Sequence, residues 1–413
     1  VHKVPFHAAG CEKQLKPIIK NKKLLPMNRK LRMGMIGGGK NAFIGAIHRI
    51  AANMDGLIEL KAGAFSSDPE ISKASGEMLF LHPDRTYPDY KTMLEAEANK
   101  PADEKLDFIA IVTPNHVHFE PAMLALEKGF HVAIDKPITF TLEEAKQLKA
   151  KVDATGLSLL LTHTYTGYPM VKQARQMVKN GVFGKIRKVY VEYPQGWLST
   201  FSEKDSKGAA WRTDPSRSGK AGCMGDIGTH AANLAEYISG LKIDKLCADL
   251  NIVVPGRALD DDGGVLLKFD NGASGVLIAS QVAAGEENNL TIRVYGEKGG
   301  IEWHQMEPNT LLVKWLDKPT EIYRAGNGYG TLQSSYAIHN TRTPGGHPEG
   351  YLEAFGNLYR NFALTLQAKL KGETPAPEVL DFPGAEDGVR GMAFIENVVK
   401  SGQSNEKWTK FEI

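Results

Sequence analysis

Short, nearly uninterrupted apolar runs alternate with longer amphipathic segments from Leu31 to about residue 162. That alternation predicts parallel strands joined by covering helices. LRMGMIGG at 31–38 gives the first strand and its turn, 58–65 the second strand, 108–112 the third, 131–134 the fourth and 157–162 the last. Helices are expected over 42–53, 70–78, 90–97, 120–128 and 142–155. Strand, helix, strand, helix, strand is the order of a mononucleotide-binding half.

The period changes beyond this region. A helix over 170–180, a half-buried strand over 186–193 and a loop-rich insertion over 195–225 precede a helix over 229–238. A meander follows, with 264–269 and 273–281 joined across Asp270-Asn271-Gly272, a strong hairpin turn. Strands over 290–295, 300–304 and 311–316 continue it, and helices over 349–369 and 384–400 close the chain. The fold class expected is therefore α/β, an N-terminal Rossmann doubly wound parallel sheet followed by an α+β domain with a large, mostly antiparallel open sheet. The domains run 31–155 and 156–413, after an extension over 1–30. Helices cover only one face of the second sheet, so its other face calls for a partner, which predicts a homodimer or homotetramer.

Composition narrows the partners. Fifty Lys+Arg against 48 Asp+Glu leave a formal charge of +2, so no global field favours nucleic acid or a membrane, and a small molecule is the expected ligand. Three scattered cysteines, Cys11, Cys223 and Cys247, argue against a disulfide framework or a zinc ribbon and for a reducing compartment, the cytoplasm. No metal site is expected. Residues 1–30 lack the apolar core and cleavage site of a secretory signal and read as a Lys-rich arm, with Met27 a candidate start of the core protein and 11–23 a candidate helix.

Gly37-Gly38-Gly39-Lys40-Asn41-Ala42 is a G-x-G-x-x-A pattern between a strand and a helix. Glycines there let the backbone approach a pyrophosphate, whose charge helix N-terminal amides favour. At the end of the second strand, Ser66, Ser67 and Asp68 are placed to meet the adenosine ribose. A carboxylate there favours NAD over NADP, although Asp68 can equally cap the next helix. Ligands of open α/β sheets gather at strand carboxyl ends. Thr113, Pro114, Asn115 and His118 follow the third strand, and Asp135, Lys136 and Pro137 the fourth, so both sets are expected beside a nicotinamide. In Gly225-Asp226-Ile227-Gly228-Thr229-His230, i, i+4 spacing puts Asp226 and His230 on one helical face, where a carboxylate can orient an imidazole base. An N-cap beside a core histidine is the plainer alternative.

Gly37 to Ala42, Thr113 to His116, Lys136-Pro137 and Gly225 to His230 stand in the order and spacing of the Gfo/Idh/MocA oxidoreductases, which the chain resembles from Leu31 onward. The resemblance implies a Rossmann domain, a second domain whose open sheet makes subunit contacts, NAD(P)-linked chemistry on sugars or cyclitols, and a catalytic trio of Lys136, Asp226 and His230. Asp135 departs from the usual Glu-Lys-Pro. Phe65 to Glu70 is similar to the branch that includes levoglucosan dehydrogenase.

The expected reaction oxidises a secondary hydroxyl of a sugar, anhydrosugar, glycoside or cyclitol. His230 takes the proton, Asp226 orients it, and Lys136 stabilises the alkoxide. Tyr165, Gln195, Trp197, Arg212 and His347 are the candidates for holding the substrate. The alternatives are a redox-assisted glycoside hydrolase that retains its NAD and a nucleotide-binding sensor without turnover.

Overall fold

Five parallel strands, β1 (Leu31–Gly37), β2 (Ile58–Ala64), β3 (Phe108–Val112), β4 (His131–Ile134) and β5 (Leu159–Leu161), form a sheet in the order β2-β1-β3-β4-β5. They belong to a computed structural model that describes residues 29–40, 42–327, 329–330 and 332–413. The helix expected over 11–23 and Asn41 of the glycine turn lie outside the described residues. All five residues of β3 are buried, as a strand covered on both faces requires.

The cover on one face comes from the far end of the chain. Phe355, Leu358, Tyr359 and Phe362 of the helix Tyr351–Lys371 pack with Leu31, Met33 and Phe108, and the Phe108 and Phe362 rings meet edge to face at 5.3 Å. Both β5 and this helix lie past residue 155, so the first sheet and its packing extend beyond the division drawn there. The helix Leu142–Thr155 begins at a capping box, in which Thr141 Oγ1 accepts from the Glu144 amide and Glu144 returns to the Thr141 amide. Gly156, left-handed at φ 66°, ends it.

Nine further strands form the second sheet: β6 (Lys188–Pro194), β7 (Ile243–Asn251), β8 (Asp262–Phe269), β9 (Ser274–Ser280), β10 (Thr291–Tyr295), β11 (Gly299–His304), β12 (Thr310–Trp315), β13 (Glu321–Arg324) and β14 (Thr409–Lys410). Their order is β13-β12-β11-β10-β6-β9-β8-β7-β14, antiparallel apart from the β6/β9 pair. The hairpin turn falls where expected, between β8 and β9, with Gly272 at φ 88°.

One face of this sheet packs on the helices Pro169–Lys179 and Thr229–Ser239. The other carries a cross-strand row in which Leu266 pairs Val276, Val276 pairs Tyr190, Tyr190 pairs Arg293 and Arg293 pairs Glu302. Leu266, Ile278 and Ile322 on that face are 46%, 42% and 55% exposed. Among the described residues no helix is long and apolar enough to cross a membrane.

Candidate active site

The order β2-β1-β3 places a topological switch point between β1 and β3, where open α/β sheets bind ligands. After β1, Gly37 and Gly38 adopt φ 78° and 70°, and the helix Phe43–Asn53 follows. The helix packs tightly on this turn through Gly45, a residue beyond the G-x-G-x-x-A pattern. A Cβ on Gly45 would lie 2.4 Å from the Gly38 Cα, while Ala42 is the N-cap. Ala42 offers no side-chain cap, and with Phe43 and Ile44 it lines the cavity that also holds Lys136. First-turn amides left in this way suit an anion. Behind the turn, Gly39 O accepts from the Ala42 amide (3.0 Å) and the Lys40 amide donates to Ser75 Oγ (2.9 Å).

At the end of β2, Asp68 Oδ1 accepts from the amides of Glu70 (2.9 Å) and Ile71 (3.3 Å), so it caps the helix Pro69–Met78. Ser66 Oγ accepts from the Asp68 amide (3.1 Å), and Ser67 is exposed. After β3, Thr113, Pro114 and Asn115 line the cavity. His118 does not, contrary to expectation. It is fully buried, with Nδ1 2.8 Å from Pro137 O and Nε2 2.8 Å from Thr113 O, so it ties the end of β3 to the end of β4. Burial lowers its pKa, against the pull of Asp135 and the two carbonyls.

The charged turn after β4 puts Lys136 into the cleft, with a cis bond to Pro137. Asp135 Oδ1 accepts from Thr162 Oγ1 at 2.8 Å, so the shorter carboxylate is held from the end of β5. Burial would raise its pKa, but His48, Lys136 and Thr162 hold it well below the usual carboxylate range.

Asp226 sits in a π-turn, Met224–Gly228, ahead of the helix Thr229–Ser239. The neighbouring β7–β8 connection fixes this turn. Asp260 accepts from the amides of Gly222 (2.7 Å) and Met224 (2.8 Å). Asp226 and His230 do not form the expected carboxylate–imidazole hydrogen bond. Asp226 Oδ1 is 2.5 Å from Lys136 Nζ, which also donates to the Asp226 carbonyl (2.9 Å). Its Oδ2 accepts from Arg212 Nε and Gln281 Nε2, both at 3.0 Å. Burial pushes this carboxyl up, yet Lys136 and Arg212 outweigh it, and Asp226 stays ionised well below the usual range. His230 Nδ1 lies instead 3.4 Å from His163 Nδ1. Burial, with Lys136 and His163 nearby, keeps the His230 pKa well below 6.5.

Tyr165, Gln195, Trp197 and Arg212 all line the cavity; His347 does not. It stands exposed in a surface turn where its carbonyl accepts from Thr343 Oγ1 (2.7 Å). Tyr193 and Asn288 take part in a network that the sequence reading missed. Asn288 Oδ1 accepts from Tyr193 Oη (2.7 Å) and Gln195 Nε2 (2.6 Å), and Asn288 Nδ2 donates to Tyr165 Oη (3.1 Å). Trp197 Nε1 donates to Gln195 Oε1 (2.9 Å). The Arg212 guanidinium lies over the Trp211 and Trp197 rings at 4.4 and 5.6 Å. Inward alternation along β6 was a usable signal for Tyr193, whereas Asn288 lies in a loop without pattern.

The whole cleft has a volume of about 790 Å³ and runs from the first turn after β1, past Lys136, to Trp197 and Asn288. A glycine turn leading into a helix whose N-cap, Ala42, makes no side-chain cap at one end and a Lys–Asp pair, an imidazole and amide side chains at the other define a dinucleotide-linked oxidoreductase. Residues 31–163 match the oxidoreductase family with an NAD-binding Rossmann fold, and residues 171–302 match the GFO/IDH/MocA C-terminal domain. The chain belongs to the Gfo/Idh/MocA family of oxidoreductases. An uncharacterized oxidoreductase of Bacillus subtilis, YfiI, is 34% identical over 390 residues, 94% of this chain and 98% of its own. Levoglucosan dehydrogenase of Pseudarthrobacter phenanthrenivorans is 25% identical over 423 residues, 92% of this chain and 98% of its own. The crystal structure of an inositol dehydrogenase homologue from Azotobacter vinelandii, complexed with NAD+, has a TM-score of 0.87 at 35% identity, covering 93% of this chain and 98% of that one.

Proposed function

We propose that this protein is an NAD-dependent dehydrogenase that oxidises a secondary hydroxyl of a neutral sugar or cyclitol. The observation that carries the reading is the meeting, in one cleft, of the uncapped first turn at Ala42–Ile44 with Lys136, Asp226 and His230. Bound NAD supplies the hydride acceptor. His230 takes the hydroxyl proton, and its low pKa keeps the ring neutral and able to do so near pH 7. Lys136 donates to the reacting oxygen and stabilises the developing alkoxide, while Asp226 holds the Lys136 ammonium in place. Tyr193, Asn288 and Gln195 offer hydrogen bonds to the remaining hydroxyls, and the Trp197 and Trp211 rings offer faces to the C–H surface. The relatives named as an inositol dehydrogenase homologue and as levoglucosan dehydrogenase support this substrate class.

NAD is preferred to NADP because Ser66, Ser67 and Asp68 provide no cation for a 2′-phosphate. The subunits associate through the outer face of the second sheet.

The test is absorbance at 340 nm with NAD and NADP in parallel against inositols, pyranoses, anhydrosugars and glycosides. NADH formed with a cyclitol or sugar is expected. Silence across the panel, with a glycoside cleaved in the same tubes, replaces the dehydrogenase with a redox-assisted hydrolase.

A further inference from the structure

We propose that His163 is a positioning residue that holds His230 in the tautomer needed for proton abstraction. This rests on the reading of His230 as the base. With the Asp226 carboxylate taken by Lys136, Arg212 and Gln281, His163 is the group at the His230 Nδ1, 3.4 Å away with the rings edge to face at 84°.

His163 is itself fixed. It follows β5, is 3% exposed, and its carbonyl accepts from the Thr166 amide (3.2 Å) and Thr166 Oγ1 (2.9 Å). Titratable groups reach it from two sides, with the charged Asp135 and Lys136 at the end of β4 and His230 on the helix Thr229–Ser239. On the third side, the helix Ala385–Gly402 presents Gly391, on which a Cβ would lie 3.9 Å from His163 Nε2. Burial, reinforced by Lys136, lowers the His163 pKa to about 3, so the ring is neutral in the working range.

A neutral imidazole carries one proton, so one ring donates and the other accepts in this pair. For His230 to receive a hydroxyl proton on Nε2, its own hydrogen must reside on Nδ1. His163 Nδ1 then accepts that hydrogen, and His163 carries its proton on Nε2. When the substrate O–H bond breaks and the Nε2–H bond forms, His230 becomes an imidazolium whose Nδ1–H still points at an acceptor. With the tautomers reversed, His230 Nε2 holds a hydrogen and the base is blocked. His163 thus does for His230 what the carboxylate of the i, i+4 pair was expected to do, without adding a charge beside Lys136.

The experiment compares His163→Phe, His163→Asn and His230→Ala by steady-state kinetics, NADH binding and the ¹⁵N signals of the His230 ring. Phe keeps a ring without nitrogens, and the Asn amide oxygen can accept from Nδ1–H. The expected result is that H163F moves His230 away from its Nδ1–H form and lowers kcat by roughly 10- to 100-fold, with KM and NADH affinity within about twofold. H163N recovers most of kcat. An unchanged His230 tautomer in H163F, or in His163→Leu, which likewise offers no acceptor, should H163F not fold, overturns the proposal, as does an unchanged kcat in that variant. Turnover retained by H230A overturns the reading of His230 as the base instead, and the ¹⁵N signals still decide whether His163 sets its tautomer.

Discussion

Arg257 Nη1 donates to Asp261 Oδ2 at 3.0 Å inside the β7–β8 connection, both side chains being almost fully buried. The same guanidinium reaches out to Glu203 Oε1 (2.8 Å) and the Thr200 carbonyl (3.0 Å), in the insertion that carries Trp197 and Arg212. Asp260, one residue earlier, holds the π-turn of Asp226. One connection therefore anchors both sides of the cleft. Arg257→Met leaves Asp261 and Glu203 without their cation, and the expected cost is about 3 kcal/mol of stability. With the insertion loosened, KM for the substrate rises several-fold more than kcat falls. Denaturation midpoints and steady-state kinetics check both; an unchanged KM separates the insertion from substrate binding.

Lys136→Ala is expected to lower turnover by roughly 10²-fold or more while NADH affinity is largely kept, because the proposed mechanism puts Lys136 on the reacting oxygen and leaves the nucleotide to the first-turn amides. Fluorescence titration with NADH and kcat measurements separate the two effects. Unchanged turnover removes Lys136 from the chemistry.

Gly45→Ala drives a methyl group against the Gly38 backbone, where a Cβ would be 2.4 Å from Cα. The helix must shift off the turn, so NADH affinity is expected to fall by about 10-fold or more, with a loss of thermal stability. Titration of the purified variant tests this, and full affinity shows that the turn tolerates the shift.

Acid weakens the fold through buried histidines. His131 Nδ1 accepts from the Ser158 amide (2.8 Å), and burial, with Lys369 nearby, lowers its pKa to about 4 from 6.5. Between those values the unfolded chain binds the proton and the folded chain does not. The stability is therefore complete above about pH 6.5 and is lost as the pH falls toward 4. His163, lowered to about 3, extends the loss in the same direction. Melting temperatures measured from pH 7 to pH 4 should decline, and His131→Asn, which can still accept from Ser158, should make the decline shallower. Identical slopes for the two proteins count against His131.

Ile278→Arg places a charge on the outer face of the second sheet, where Ile278 is 42% exposed. If that face joins subunits, the variant runs as a smaller species by light scattering, and an unchanged mass assigns the contact elsewhere.

The strands of the first sheet could be read from the chain because β3 and residues Val132–Ile134 of β4 are buried and so are continuously apolar. Leu142–Thr155 was legible at both ends because Thr141, Glu144 and Gly156 spell out its caps. The strand β7 was not, since its sequence, IDKLCADLN, alternates weakly and half of it faces outward. The short helices Lys207–Arg212 and Pro215–Ser218 in the insertion were read as loop, being only one or two turns long. Within the site, Lys136, Asp226 and His230 line one cleft, but their pairings did not follow from spacing. The i, i+4 rule assumed an α-helix at Asp226, and the π-turn there gives its carboxylate to Lys136. His118 stands next to cleft residues in sequence, yet its ring nitrogens are drawn inward to two carbonyls. His163 carried no sequence signal, since nothing local links it to a residue 67 positions away.

The packing of Tyr351–Lys371 on β1 and β3 also bears on biosynthesis. A ribosome releases the nucleotide-binding strands long before that helix is made, so Leu31, Met33 and Phe108 wait without their aromatic cover while most of the chain is still being translated. The nascent sheet is then a natural client for chaperones, and a fragment ending after β5 would emerge with a sticky, uncovered face rather than as a free-standing nucleotide-binding module.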